Sequence, residues 1–160
     1  MTGSSVLTPP AHQFPQRFVS FERWNPDRIG ALAMYCSDGR WGDAFDDFCH
    51  NHLHIPRYDR FAVPGGPACL VGSNYDAHEP WRQLSMLVRV HQLQKIVLVS
   101  HYGCAHYAER LKLTPDECIP AQVEDLHHAA VGVLERFPRM NVQMYLAMRR
   151  NDRLSFHMVG

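Results

Sequence analysis

The sequence has no net charge, no long apolar run and no low-complexity segment. Sixteen Lys and Arg balance sixteen Asp and Glu among its 160 residues. It therefore lacks the positive field with which nucleic-acid-binding proteins and polybasic membrane surfaces attract their partners. The longest uninterrupted apolar stretch, 29–36, has eight residues, whereas a membrane-spanning helix needs about twenty. We expect neither a nucleic-acid partner nor a membrane partner.

The amino terminus also lacks the features of a secretory signal. Residues 1–15 are polar and contain prolines, without the apolar run that such a signal requires. We therefore expect a cytoplasmic protein in which residues 1–28 form an N-terminal arm. An odd number of cysteines, five, favours reduced thiols over a disulfide framework. Together with eleven histidines, these thiols raise the question of a metal site.

Residues 29–160 have the composition and the pattern of a single α/β domain. Hydrophobic residues make up 46% and charged residues 20% of the chain, close to globular averages. Short apolar runs alternate with segments of helical period, which is typical of an open, mainly parallel sheet. The predicted strands are 29–36, 60–63, 95–101, 142–148 and 154–158, and the last two form a hairpin with its turn at 151–152.

Three helices are predicted between these strands. Trp41, Phe45, Phe48 and His52 recur at helical spacing, and 76–93 carries a second apolar stripe. Thr114 to Glu117 has the form of a capping box, but Pro120 interrupts the pattern, so we expect the long third helix to begin at Pro120 and end before Pro138. The expected fold is α/β: a mainly parallel four-stranded sheet with an added antiparallel edge strand and helices on its faces.

Polar residues follow three of the predicted strands, where open α/β sheets bind their ligands. Cys36, Asp38 and Arg40 come after the first strand, a Pro-Gly-Gly-Pro loop at 64–67 after the second, and His101 with Cys104 after the third. If the last segment makes a helical turn, Cys36, His101 and Cys104 converge, and two thiolates with one imidazole are a ligand set of catalytic zinc. Arg40 can pair with the Asp38 carboxylate in a bidentate manner.

This constellation resembles the β-class carbonic anhydrases. That family has a Cys-x-Asp-x-Arg segment after its first core strand, a glycine-bearing loop after the second and a His-x-x-Cys segment after the third. The order here is the same, with Cys-Ser-Asp-Gly-Arg at 36–40 and His-Tyr-Gly-Cys at 101–104. The resemblance covers roughly residues 29–158. Two departures are Gly39, where the family commonly has Ser, and the segment 63–68, which replaces an Asn-Ala-Gly loop.

The resemblance implies reversible hydration of carbon dioxide to bicarbonate by a zinc-bound hydroxide. Cys36, His101 and Cys104 would bind Zn²⁺, while Asp38 and Arg40 would act as a catalytic gating pair. It also implies a homodimer or a higher homo-oligomer, with the region from about residue 14 to residue 28 packed on the neighbouring subunit. Some members of the family have a closed form in which the aspartate itself binds zinc, and the sequence is compatible with either form.

Two other functions stay open at this stage. The same site could hydrolyse carbonyl sulfide or carbon disulfide, because these are also small linear electrophiles. Alternatively, the altered loop at 64–67 could close the pocket and leave a noncatalytic zinc-binding module. A phosphatase loop is excluded because Cys36 and Arg40 are four positions apart, where that loop requires six.

The remaining candidate residues receive structural interpretations. His50, His52 and His54 alternate and should point to different faces of a helix rather than form a second metal site. We expect Cys49, Cys69 and Cys118 to be small core residues. Trp41 and Phe45 belong to the core by their spacing, although either could line a pocket beside Arg40. His127, His128 and His106 are expected at the surface, with a proton shuttle as the second interpretation of His106.

Overall fold

A computed structural model describes residues 15–28, 30–72 and 77–160, and it contains one five-stranded sheet in the order β2-β1-β3-β4-β5. β1 pairs in parallel with β2 and β3, β3 pairs in parallel with β4, and β5 is antiparallel to β4. The predicted fold class is therefore confirmed. The strands are β1 Ala31–Cys36, β2 Asp59–Val63, β3 Lys95–His101, β4 Asn141–Arg150 and β5 Arg153–Met158.

The central strands form because their side chains are buried on both faces of the sheet. Every residue of β1 is buried, and so is every residue of β3 except Lys95. Leu32 and Met34 face one layer of the core, which includes Leu98 and Leu126, whereas the alternate residues of β1 face the other layer. Each large aliphatic side chain buried in this way contributes roughly 1.5–3 kcal/mol of transfer free energy.

The first two predicted helices are present with different bounds. α1 spans Gly42–Asp47 and continues as a π-helical turn, Phe48–His52, so the predicted regular helix through His52 is only partly correct. The wider turn lets Phe48 stack on Phe156 of β5, with ring centroids 4.1 Å apart. α2 spans His78–His91, and the predicted start at residue 76 lies outside the described residues, as does residue 29 of the first strand.

The long helix begins earlier than expected. α4 spans Pro115–Arg136 and contains Pro120 within its regular part. The capping box is confirmed: Thr114 accepts a hydrogen bond from the Glu117 backbone, and the Glu117 carboxylate accepts one from the Thr114 backbone. The cap satisfies amide groups at the helix start. Gln122 and Leu126, which follow Pro120, are buried, and their burial favours a helix that continues across the proline.

Two short elements complete the fold around the sheet edge that carries the candidate ligands. A 3-10 helix, Gly66–Leu70, follows β2, and α3, Ala105–Leu111, follows β3. Residues 15–28 contain neither helix nor strand, and their largest side chains are exposed. Within the described parts of the chain, none of the helices combines the length and the apolar character needed to cross a bilayer.

Candidate metal centre

Cys36, His101 and Cys104 meet at the carboxyl ends of β1 and β3. One ligand atom from each residue lies within 4.8 Å of the other two, and the two Sγ atoms are 3.8 Å apart. The residues are 7%, 1% and 3% exposed, in that order. Among the described residues, this is the one group of Cys, His and acidic side chains with such spacing. The predicted convergence of the three residues is present.

The sheet explains why residues so distant in sequence come together. β1 and β3 are adjacent and parallel, so Cys36 and His101 end neighbouring strands on the same edge. Cys104 reaches them by a different route from the expected helical turn. Gly103 has a φ of +70°, in the left-handed region, and Cys104 is extended at the start of α3. The chain therefore reverses in a tight turn that requires a residue tolerant of positive φ.

The geometry of the cluster fits zinc. Tetrahedral Zn–S bonds of about 2.3 Å place two sulfurs about 3.8 Å apart, which is the separation of the Cys36 and Cys104 Sγ atoms. His101 Nδ1 lies 3.0 Å from the Tyr102 carbonyl oxygen and donates to it, which leaves the lone pair on Nε2. Nε2 is buried, and none of the described residues forms a hydrogen bond with it. A metal ion would satisfy that atom.

The pKa values of the two thiols, Cys36 and Cys104, are shifted in opposite directions. Cys104 Sγ–H donates to Cys36 Sγ, and this hydrogen bond lowers the pKa of Cys36 far below that of an ordinary thiol, against the opposing effect of burial. The backbone amides of Gly65 and Asp38 lower it further. The same hydrogen bond raises the pKa of Cys104, with burial as the second cause. The pair therefore loses one proton readily, and a divalent cation would favour loss of the other.

Asp38 and Arg40 form the predicted pair at the edge of this cluster. Arg40 Nε lies 2.9 Å from Asp38 Oδ1, and the terminal nitrogen lies 2.5 Å from Oδ2. These hydrogen bonds lower the pKa of Asp38 to about 2. The carboxylate is 17% exposed and the guanidinium 74% exposed, so Arg40 reaches in from solvent. Asp38 is thus ionised, and the two parallel hydrogen bonds from the planar Arg40 guanidinium group fix its orientation.

The loop after β2 packs directly on the cluster. Gly65 has a φ of +77° and Gly66 a φ of +56°. A Cβ on Gly66 would lie 2.8 Å from the Tyr35 carbonyl carbon and 2.9 Å from the Cys36 nitrogen, so only glycine allows this approach. The close packing brings the Gly65 amide to the Cys36 sulfur as a donor. The loop after β2 therefore forms part of the surroundings of the cluster.

Two neighbours of His101 complete its surroundings. Gln122 of α4 is fully buried, and its Nε2 donates to the His101 carbonyl oxygen at 2.7 Å. Sequence reasoning did not select Gln122, although a glutamine on an otherwise apolar helical stripe is a visible signal. Trp41 is buried with its ring centroid 4.7 Å from that of His101, so it is both a core residue and a wall of the site.

The interpretations of the remaining candidates are mostly confirmed. His127 and His128 are exposed, as expected, and His50, His52 and His54 are exposed as well. Cys49, Cys69 and Cys118 are buried, and all five cysteines are free thiols. His106 differs from the expectation. It is half-buried, and its imidazole lies against Gly65 rather than in solvent.

Comparison with known proteins gives a match in structure only. No family model and no curated protein matches the sequence. A carbonic anhydrase from Glaciozyma antarctica superposes with a TM-score of 0.55 at 13% identity, covering 84% of each chain. A carbonic anhydrase from Streptococcus mutans gives 0.51 at 14% identity, covering 83% of this chain and 82% of that one. A β-carbonic anhydrase from Trichomonas vaginalis gives 0.49 at 13% identity, with 88% and 89% covered.

The first two of these likenesses, over more than four fifths of each chain, establish a common architecture. At such low identity they say nothing about which residues act. The resemblance that the sequence motifs indicated is therefore confirmed at the level of the fold: this chain has the fold of the carbonic anhydrases to which it is similar.

Proposed function

We propose that this protein catalyses the zinc-dependent reversible hydration of carbon dioxide to bicarbonate. The observation that carries the proposal is the buried Cys36, His101 and Cys104 cluster, with its tetrahedral sulfur spacing, beside an Asp38–Arg40 pair. The fold that this chain shares with a carbonic anhydrase supports the proposal. The position of the cluster supports it as well, because open α/β sheets bind their ligands at the carboxyl ends of their strands.

Zinc is the expected cofactor, held by the two sulfurs and by His101 Nε2. Three protein ligands leave one position of a tetrahedral ion for water or substrate. When bound, the ion supplies a Lewis acid that makes water acidic near neutral pH and hence nucleophilic toward carbon dioxide. The tautomer needed for this ligand set is already fixed by the hydrogen bond from His101 Nδ1 to the Tyr102 carbonyl.

Asp38 and Arg40 have separate roles in this proposal. Asp38, ionised because its pKa is lowered to about 2 by the hydrogen bonds from Arg40, offers an acceptor oxygen that orients a water molecule. Arg40 neutralises the carboxylate and holds it in one position, which keeps it from acting as a further metal ligand. The pair therefore determines whether the fourth position remains available.

One observation favours a second candidate, a noncatalytic zinc-binding module. The three ligand residues are at most 7% exposed, and the loop containing Gly65 and Gly66 packs directly on Cys36. A zinc ion that substrate cannot reach would contribute to folding instead of to turnover.

Metal analysis followed by a kinetic assay distinguishes the two functions. Protein purified without chelators should contain about one zinc per chain, and zinc-loaded protein should accelerate carbon dioxide hydration in stopped-flow measurements between pH 7 and 9. Cys36→Ser is the control that removes a ligand. Stoichiometric zinc without turnover identifies the noncatalytic module, and protein that binds no zinc excludes both functions. Carbonyl sulfide and carbon disulfide can be assayed on the same samples.

We further propose a homodimer or higher homo-oligomer of a single domain, 29–160, with residues 1–28 as an N-terminal arm whose part from about residue 14 to residue 28 packs on the neighbouring subunit. Phe21 and Trp24 support this, since they are 99% and 90% exposed on a segment without secondary structure. Side chains of this kind are enriched at interfaces. Residues 1–14 and 29 lie outside the described residues. A cytoplasmic location remains a prediction from the reduced thiols.

A further inference from the structure

The imidazole of His106 lies directly over Gly65. An added Cβ on Gly65 would be 2.5 Å from His106 Cδ2 and 2.8 Å from Cγ, which is closer than side-chain carbons approach one another. On its other side, the loop rests on the peptide between Tyr35 and Cys36, through Gly66. The Gly65–Gly66 loop is therefore held between β1 and the start of α3.

This contact connects two of the proposed zinc ligands. Gly65 donates its backbone N–H to Cys36 Sγ, and His106 lies two residues beyond Cys104, in the first turn of α3. Displacement of the loop would remove a donor from the Cys36 thiolate. Hydrogen bonds of this kind orient metal ligands, and their loss typically costs 10- to 100-fold in metal affinity or activity.

We propose that His106 is a positioning residue whose ring holds the Gly65 amide on Cys36 Sγ. The proposal concerns the volume of the ring and not its protonation. Tyr107 supports the position of α3: it is fully buried, its hydroxyl donates to Asp125 of α4 at 2.8 Å, and its ring centroid is 5.2 Å from that of His106. His106 is thus anchored from the α4 side while it contacts the loop.

The proposal rests on the proposed zinc site, so its test uses one readout with metal and one without. The first is the affinity for Co²⁺, a spectroscopic substitute for zinc, measured by titration of the thiolate-to-cobalt absorption. The second is the exchange rate of the Gly65 amide proton in metal-free protein, measured by NMR. His106→Ala should weaken Co²⁺ binding about tenfold and accelerate exchange of the Gly65 amide.

His106→Phe restores an aromatic ring without the imidazole nitrogens and should retain both properties. His128→Ala, which removes an exposed histidine from α4, is the matched control and should resemble the wild type in both readouts. Because far-UV circular dichroism and thermal unfolding of the metal-free protein report folding, a misfolded His106→Ala variant would be recognised, and His106→Phe would still test the role of the ring.

A double-mutant cycle isolates the contact itself. Gly65→Ala introduces both backbone strain at positive φ and overlap with the imidazole, whereas in the His106→Ala background the overlap is absent and the strain remains. Gly65→Ala should therefore weaken Co²⁺ binding about fivefold more in the wild type than in that background. Gly42→Ala, at a position with nothing within 4 Å of the added carbon, is the control and should show no such difference.

Each outcome decides a separate question. Wild-type Co²⁺ affinity and Gly65 exchange in His106→Ala would overturn the positioning role while leaving the zinc site intact, and so would loss of both properties in His106→Phe. Additive effects in the cycle would show that the ring and Gly65 do not interact. Wild-type protein that binds no metal would overturn the proposed function, yet the amide exchange rates would still test the contact.

Discussion

Individual thiols in this protein differ in their chemical environment, and Cys49 and Cys69 are buried in the two apolar core layers on either side of the sheet. Burial raises the pKa of Cys49 to about 11 and that of Cys69 to about 12. Because the thiolate is the reactive form, we expect both to resist alkylation by iodoacetamide at pH 8 in the native protein. Peptide mapping by mass spectrometry measures this, with denatured protein as the control. Equal rates in native and denatured protein would contradict the core assignment.

Arg40 permits a second prediction at this scale. Arg40→Gln removes the guanidinium group that orients Asp38 but removes none of the proposed zinc-binding atoms. We expect zinc content to be unchanged and the hydration rate of metal-loaded protein to fall about 10- to 100-fold. Arg40→Lys should recover little of this rate, because an ammonium group cannot reproduce the bidentate geometry.

Arg89→Gln is the matched control, since Arg89 is exposed on α2. Its hydration rate and zinc content should equal those of the wild type. A full hydration rate in zinc-loaded Arg40→Gln would show that the pair does not take part in turnover.

The sequence indicates the three residues of the candidate metal cluster because their types and positions are local information. Cys36 and His101 end apolar runs that become neighbouring buried strands, and Cys104 follows at a short interval. The contact between His106 and Gly65 is not local, since it depends on how the loop after β2 meets α3. Gln122 was missed for the same reason: its partner is a carbonyl group on another element.

Among the secondary-structure elements, α4 contains a residue, Pro120, that disfavours a helix locally although the packing of the helix favours it. Pro120 is exposed, lies in the regular part of the helix and has no amide hydrogen to donate. Pro120→Ala supplies that donor without removing buried surface, so we expect the free energy of unfolding to rise by about 1–3 kcal/mol. Urea denaturation followed by circular dichroism measures the change. A decrease would show that the proline conformation suits this helix.

At the scale of elements, the sequence predicts strands better than helix boundaries. A short, continuous apolar run such as that of β3 is typical of a strand that is buried on both faces of a sheet. The observed bounds of β3 agree with the prediction. The boundaries of α1 and α4 depend on packing at a distance. Phe48 enters a π-helical turn that faces Phe156. α4 extends across Pro120 because its start is capped and because Cys118, Gln122 and Leu126, on either side of the proline, are buried.

For the whole molecule, metal binding should be linked to global stability. A ligand that binds only the folded state stabilises it by about 2.7 kcal/mol at a free concentration one hundred times its dissociation constant. For a chain of this size, that corresponds to about 5–10 °C in Tm. Calorimetry should show this decrease when zinc is removed by a chelator and its recovery when zinc is restored. The Tm of Cys36→Ala should neither fall when chelator is added nor rise when zinc is restored. A wild-type Tm that chelator does not change would argue against the metal site.

Association of two or more chains is the other prediction for the whole molecule. The segment 15–28 leaves Phe21 and Trp24 almost fully exposed, beside Phe18 and Val19, which are 77% and 64% exposed. Burial of aromatic side chains of 150–250 Å² each can drive association, so light scattering after size exclusion should give at least twice the mass of one chain. Phe21→Ala with Trp24→Ala should shift the mass toward the monomer, and dilution of the wild type should change its tryptophan fluorescence. Val90→Ala, which trims an exposed aliphatic side chain on α2, should leave the mass unaltered. A monomeric wild type at micromolar concentration would show that these aromatics serve another purpose.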